Sequence, residues 1–208
     1  MTARLRMTRA ERSEQTRSEL VAAARVVFLR RGFHGASLDE ISAEAGYTTG
    51  AVYSRFGGKD ELFLAVMDDH VERRTRLYAD AAMAAGDFEA AHREVIRAAS
   101  AAGRDEPSWT PLLMEFWMHA ARRDDLRAAV AERNDRNLDA SAALHEAIAE
   151  RFGMKLLRPP REMQRAATAM ARGLSLERQI APEADPERLY EDCMIALLRA
   201  FSEPANTA

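Results

Sequence analysis

"GYTTGAVYSRF", residues 46–56, sets glycines at 46 and 50, threonines at 48 and 49 and rings at 47, 53 and 56 into eleven positions. Its neighbours are dominated by alanine, arginine and glutamate. Upstream, the pattern Ser37-x-x-Glu40 reads as a capping box opening a short helix through Leu38, Ile41 and Ala45, which Gly46 stops. Thr48 is placed to cap a second short helix, spanning residues 48–55, with its hydroxyl. Ile41, Tyr47 and Val52 can close a small core between the two, and Phe56 reads as a core anchor.

Further out the helical pattern continues on both sides. Thr8-x-x-Glu11 predicts the start of a first helix that buries Leu20, Val21, Ala24, Val27 and Phe28, with Gly32 as its stop and Gly35 in the following turn. Downstream, "GGKDELFLAVMDDHVERRTRLYADAAMAA" predicts a long helix with Asp60 and Glu61 in its first turn, where acids suit the helix dipole. Its apolar stripe runs through Leu62, Phe63, Val66, Met67, His70 and Val71 to Leu77 and Tyr78. Further helices are predicted over 88–102, 108–121, 124–152, 161–181 and 186–202. Pro159-Pro160 is the firm break among them, and Asp185 can cap a last helix that has Pro186 at its first position. No strand pattern, repeat or low-complexity segment is visible. The fold class is therefore all-α.

Two short helices joined by a glycine turn and preceded by a longer one have the helix-turn-helix layout. In it Thr49, Gly50 and Ala51 occupy the first turn of the second helix, the part presented to base edges, and the two small residues let backbone approach a duplex. Tyr53 and Ser54 follow on the outer face, with hydroxyls able to meet phosphate; for Tyr53 packing is the alternative, and phosphate contact the favoured reading. Lys59 opens the next helix, where a cation and free N–H groups together favour an anion. The charge distribution agrees. Residues 1–60 carry ten Lys+Arg against seven Asp+Glu, while the whole chain has a net charge of -3. Arg4, Arg6 and Arg9 form a basic front end on an acidic body, which suits one end meeting a polyanion.

The stretch "SLDEISAEAGYTTGAVYSRFGGKDELFLAV" resembles the signature of the TetR family of bacterial transcriptional regulators. The pattern G-x-[ST]-x-G-x-[LV]-Y-x-x-F-x-x-K-x-x-L matches at Gly46, Thr48, Gly50, Val52, Tyr53, Phe56, Lys59 and Leu62. The resemblance covers about the first 80 residues; beyond them only helix layout and length are similar. It implies that Ser37, Thr48, Tyr53 and Lys59 hold phosphates, that Thr49, Gly50 and Ala51 lie against bases, and that Arg4, Arg6 or Arg9 adds contacts as an arm. Two positions depart from many members: Thr49 stands where a longer polar or basic side chain is common, and Arg55 where Asn or His is frequent. A short Thr49 reads a base weakly, through a thymine methyl, and Arg55 is placed to compensate at phosphate or guanine.

In the rest of the chain, Trp109, Leu112, Leu113, Phe116, Trp117 and Ala120 share one helical face with Met114 nearby. That face reads either as ordinary core or as the wall of a pocket for an apolar or amphipathic ligand, with Trp109, Leu113, Met114 and Trp117 as lining. Asn134, Asn137 and Ser141 lie near the inward stripe of Leu126, Val130, Leu138 and Leu144, where they either orient a ligand or face solvent. In 161–181, Ala166, Ala167, Met170, Ala171, Gly173 and Leu174 form a smooth face. In 186–202 the apolar set Leu189, Tyr190, Cys193, Met194, Leu197, Leu198 and Phe201 is too broad for one side. The two helices are expected to bury their surplus either in the monomer or in a four-helix homodimer interface, the arrangement the resemblance implies, with Ala167, Met170, Gly173, Leu174, Met194, Leu197, Leu198 and Phe201 at its centre.

Other chemistries have no residues to carry them. The five histidines show no H-E-x-x-H spacing, so no metal site is expected, and no nucleophile elbow, P-loop or dinucleotide fingerprint points to catalysis or a cofactor. Cys193, the single cysteine, reads as a small buried apolar residue and fits a reducing cytoplasm. No apolar run is long enough for a membrane span, and the first residues lack the apolar middle of a signal peptide. The expected organisation is an arm and helix-turn-helix domain over 1–58 and a ligand-binding and dimerisation domain over 59–208. The expected function is regulation of transcription from a pseudo-palindromic double-stranded operator, most simply as a repressor released by a small molecule that acts through the tilt of the helix starting at Lys59. The alternatives are an activator, and a helical carrier or enzyme with a fortuitous helix-turn-helix.

Overall fold

A computed structural model describes residues 8–181 and 186–205, so Arg4, Arg6 and Asp185 lie outside the described residues. The chain separates into two compact units, Met1–His70 and Val71–Ala208.

The first unit holds α1 (Arg9–Gly35), α2 (Leu38–Ala45), α3 (Thr49–Phe56) and the first half of α4 (Lys59–Met83). At the head of α1 the expected capping box is complete: Thr8 Oγ1 accepts from the Glu11 amide at 3.1 Å and the Glu11 carboxylate accepts from the Thr8 amide at 2.6 Å. Gly32 is where helical backbone stops, with φ 72° and ψ 173°, a conformation open essentially to glycine alone. The break lets Phe33 turn into the core beside Phe28 (ring centroids 5.9 Å apart) and Phe63 (5.4 Å), while Phe63 meets Phe28 edge-on at 5.0 Å.

The second capping box is only half formed. Ser37 Oγ accepts from the Glu40 amide, but the Glu40 carboxylate turns to Arg31 and Arg30 at 3.1 and 3.0 Å. Hydrogen bonds from those two guanidinium groups hold it below the usual carboxylate range. Gly46 closes α2 in the left-handed region, φ 72°, its N–H reaching the Ala43 and Ser42 carbonyls.

The core of this unit is Leu20, Val27, Phe28, Ile41, Val52, Phe56, Leu62, Phe63 and Val66, all fully or almost fully buried. The α4 residues among them explain why the two units divide after His70 and not at the expected 58/59 boundary. The first turns of α4 complete the helix-turn-helix core.

The second unit continues α4 and adds α5 (Phe88–Asp105), α6 (Trp109–Ala120), α7 (Asp124–Arg151), α8 (Pro160–Ile180) and α9 (Pro186–Phe201). Asp87 caps α5 by accepting from the Ala90 amide at 2.7 Å. Pro160 is the first residue of α8, where its missing N–H costs nothing. The Arg151 guanidinium gathers the carbonyls of Ala82, Met83 and Ala85 at 3.1–3.2 Å, satisfying the end of α4. Along α4 the expected stripe holds as far as His70, but Leu77 is 42% exposed. Arg74 donates to the Tyr78 hydroxyl and the Ala99 carbonyl in its place.

The absence of strands is corrected. β1 (Met154–Leu156) and β2 (Ser202–Pro204) pair antiparallel, Lys155 opposite Glu203. Three residues are too few to display a period, and their pairing joins the linker before α8 to the end of α9.

The expected dimer residues divide. Ala167, Met194 and Leu198 are buried within the chain itself, in a core with Ile96, Met163 and Ile195 that α5, α8 and α9 share. They therefore cannot present a surface to a second copy. Met170, Leu197 and Phe201 pack on the edge of this core, and Leu174 is half-buried. Gly173 is exposed. The breadth of apolar character in α9 is thus largely absorbed by α5, which sequence reasoning did not pair with it. Cys193 is half-buried, not fully so.

Candidate functional site

The α2–turn–α3 segment presents a set of small and polar residues on a rigid apolar base. Val52 and Phe56 point into the core, and the Arg17 guanidinium covers the Phe56 ring at 4.7 Å. Ser37, Thr48, Gly50, Tyr53 and Ser54 are exposed, and Thr49, Ala51, Arg55 and Lys59 are half-buried. Of the residues expected to meet DNA, Thr48 to Arg55 lie at the cap and along α3, while Ser37 caps α2 and Lys59 opens α4. Arg9, the described member of the basic front end, is exposed at the head of α1.

Several of these side chains are engaged differently from expectation. Thr48 occupies the cap position of α3 with extended backbone, but its hydroxyl makes no capping hydrogen bond. That hydroxyl remains available to an outside acceptor. Thr49 does the structural work: its Oγ1 donates to Asp39 Oδ1 at 2.6 Å and lies 3.1 Å from Ser42 Oγ, tying α3 to α2. Ser54 Oγ returns its proton to the Ala51 carbonyl at 3.0 Å. Tyr47 donates its hydroxyl to Glu19, joining the turn to α1. Lys59 Nζ donates to the His34 carbonyl at 3.2 Å and sits 4.8 Å over the Phe33 ring, so the end of α1 fixes its position. Arg55 Nε is buried with no hydrogen-bond partner among the described residues, so its guanidinium is packed against the unit from that side. Tyr53 is the exposed aromatic, at 57%.

Gly50 is informative because nothing inside the chain asks for it. A Cβ built there would meet only Thr48 Oγ1, at 3.8 Å, an ordinary van der Waals contact. Its φ is not in the left-handed region, unlike that of Gly46 or Gly57. Glycine in a helix costs about 1 kcal/mol relative to alanine. A residue that spends stability and relieves no internal clash points to a surface approached from outside.

In the second unit the expected ligand-lining residues fall into two groups. Trp109 and Leu113 are buried, as are Leu112 and Phe116, whereas Met114, Trp117, Asn137 and Ser141 are half-buried. None of them lines the open cavity of about 590 Å³ formed by Glu146, Ala149, Glu150, Met154 and the 156–160 linker.

Sequence reasoning missed a polar chain that links α5, α7 and α8. His92 Nδ1 donates to the Phe88 carbonyl at 2.8 Å, and His92 Nε2 lies 3.0 Å from His145 Nδ1. His145 Nε2 then faces the Gln164 amide at 2.9 Å, and Gln164 reaches Thr168 at 3.0 Å. With both rings neutral, His145 Nδ1–H donates to His92 Nε2, and the chain closes when the Gln164 nitrogen faces His145. Burial holds His92 down to about 4, with added repulsion from His145 whenever that ring is protonated, and burial also lowers His145. The two histidines are 53 positions apart, so no local spacing could have paired them. Among the described residues no group of three His, Cys, Asp or Glu could hold a metal ion, and no helix is long and apolar enough to cross a membrane.

Comparison with known proteins places this geometry. Residues 20–66 match the model of the bacterial regulatory proteins of the tetR family. The HTH-type transcriptional activator FasR of Mycolicibacterium smegmatis is 42% identical over 59 residues, covering 28% of this chain and 27% of that protein. The first curated relatives are thus matched over about a quarter to a half of their own length. The HTH-type transcriptional regulator Mb3439c of Mycobacterium bovis is 30% identical over 159 residues, 76% of this chain and 79% of its own length. The fold is also that of a transcriptional regulator from Rhodococcus sp. RHA1, with TM-score 0.75 and 21% identity over 89% of this chain and 96% of that one. Family profile, extended similarity and helix-turn-helix geometry agree: the chain belongs to the TetR family of bacterial regulatory proteins.

Proposed function

We propose that the chain is a cytoplasmic, sequence-specific DNA-binding regulator of transcription that acts as a homodimer and answers to a small molecule. The observation that carries the reading is Gly50. It is a glycine at the exposed first turn of α3 that neither the backbone nor the packing of the chain requires. On this reading the Thr48 hydroxyl, Tyr53 and Lys59, together with Ser37 and Arg9, meet phosphates, while Gly50 and Ala51 approach base edges. Thr49 offers its methyl alone, since its hydroxyl is bound to Asp39. Ser54 and Arg55 take part from the second turn, Arg55 only by leaving its packed position.

The homodimer surface is drawn from the outer faces of α8 and α9. Ala166, Ala169 and Gly173 are exposed on α8, in line with Leu176 at 37% and Ile180 at 86%. This series advances by three and four and forms a single helical stripe. Leu189, at 53%, with Ala196 and Ala200, continues it on α9. Apolar surface of this extent on two adjacent helices suits a second copy. The two-fold axis then requires a pseudo-palindromic operator with half-sites about 34 Å apart or a larger spacing.

A small molecule can act only by binding better to the dimer shape that does not fit DNA. Helix α4 is the element that starts at Lys59 and continues into the second unit, so its tilt is the natural lever. Repression by occupancy is the simplest outcome; the similarity to FasR, an activator, keeps activation as the second reading.

The test is a gel-shift titration with duplex DNA from upstream of its own gene, repeated over a range of salt. Binding to a fragment of inverted-repeat sequence, with affinity falling steeply as salt rises, is expected from phosphate contacts. Absence of salt-sensitive binding to any such fragment overturns the reading.

A further inference from the structure

Where α6, α7 and α8 meet, three side chains gather that are all hydrogen-bond donors with capacity to spare. The Arg172 guanidinium lies over the Trp117 ring, 4.4 Å from its centroid, and its Nη2 donates to Asn134 Oδ1 at 3.3 Å. Burial pulls Arg172 below the ordinary arginine value, yet a guanidinium remains cationic at any physiological pH. Among the described residues no carboxylate pairs with it, in contrast to Arg93, Arg104, Arg161, Arg178 and Arg199, each of which has an acid partner. Trp117 Nε1–H is buried with no acceptor. An unmet buried donor is destabilising, and a desolvated charge without a counter-charge is more so. The Asn134 amide nitrogen adds two further donors beside the oxygen that Arg172 uses.

Such a cluster of donors with a positive charge and no acid is incomplete without an acceptor that brings negative charge. A planar carboxylate matches the guanidinium fork and can take a bidentate pair from it. The α6 stretch that carries Trp117 is apolar: Leu113, one turn before it, is buried, and Met114 is half-buried. We infer that Arg172, Trp117 and Asn134 form the anchor of the effector site, and that the effector is an organic carboxylate with an apolar body. The inference deepens the effector half of the function proposed above and rests on it. It narrows the earlier expectation of an apolar or amphipathic ligand to an anion, and centres its recognition on Arg172, which the sequence did not single out, beside Asn134, expected from the sequence either to orient a ligand or to face solvent.

The experiment is calorimetric titration of the full chain, without DNA, using three eight-carbon probes of different charge: sodium octanoate, 1-octanol and octylammonium chloride. Octanoate is expected to bind saturably at least tenfold more tightly than octanol, and octylammonium more weakly than either. In Arg172→Met, which keeps the aliphatic stem over Trp117, octanoate should lose at least tenfold and octanol less than twofold. Arg172→Lys, which keeps the charge but not the fork, should recover part of the octanoate affinity; circular dichroism melts check that both variants are folded. Equal binding of octanoate and octanol, no saturable binding of octanoate, or an undiminished octanoate preference in folded Arg172→Met would each overturn the carboxylate site. Because no DNA is present, such a result leaves the DNA-binding reading to its own gel-shift test.

Discussion

The two units place their polar groups oppositely. In Met1–His70 a hard aromatic core of Phe28, Phe33 and Phe63 lies inside, and the side chains proposed for function stand on the surface around α3. In Val71–Ala208 the notable polar groups are inside: His92 against His145, and Arg172 against Trp117. A unit built the first way keeps the groups proposed for function at the surface over packed aromatic rings, with His70 its one buried ionisable side chain among the described residues. A unit built the second way is sensitive to whatever reaches its buried donors and acceptors. That contrast suits a protein in which one part reads a fixed polymer and the other responds to conditions.

The strongest way to break the contrast is Phe63→Ala. Phe63 is fully buried and meets two other rings, so truncation should cost about 3–5 kcal/mol in the first unit. Both tryptophans lie in the second unit, so their fluorescence reports that unit alone. In urea, the variant should lose part of its helical ellipticity early while the tryptophan transition stays near the wild-type midpoint. Equal shifts in both signals would show that the units unfold together, and the contrast would then have no thermodynamic meaning.

Much of the first unit was legible because its determinants are local. The capping box at Thr8, the break at Gly32 and the turn at Gly46 each depend on residues within four positions. What could not be read there were competitions between partners: Glu40 chose two arginines from α1 over the Ser37 amide, and Thr49 took Asp39. In the second unit the helices themselves were legible, but which faces met was not. Ala167, Met194 and Leu198 have the same apolar pattern whether α5 or a second copy covers them, and only the fold shows that α5 does. His92 and His145, like Arg172 and Trp117, are joined by packing between helices far apart in sequence, which leaves no trace in spacing.

A smaller effect sharpens the contrast from the second unit. His92 falls to about 4 in the folded chain because it is buried, whereas an unfolded histidine titrates near 6.5. Between those values the unfolded chain takes up a proton that the folded chain refuses, so acidification favours unfolding. The contribution is fully present above about pH 6.5 and is lost as pH falls towards 4, a change of roughly 2–3 kcal/mol by the standard conversion. The tryptophan-monitored urea midpoint should therefore decline from pH 7 to pH 4.5, and His92→Leu should flatten the decline. A midpoint as steep in His92→Leu as in the wild type would place the proton elsewhere.

The smallest change in stability tests the first unit where its function is proposed to lie. Gly50→Ala adds a methyl that has room in the free chain, 3.8 Å from Thr48 Oγ1, in a helix where alanine is the better residue. The substitution should stabilise the first unit by about 0.5–1 kcal/mol. If Gly50 is there for close approach to a duplex, the same methyl should weaken operator binding at least tenfold, since it occupies space the DNA backbone or base edge needs. Stability and binding would then move in opposite directions from one methyl group. A folded control, Ala43→Gly on the exposed side of α2, should reverse the stability change and leave binding within twofold of wild type. Were Gly50→Ala both more stable and equally tight on DNA, the first turn of α3 would not be the contact surface, and the surface polar set around it would lose its functional reading.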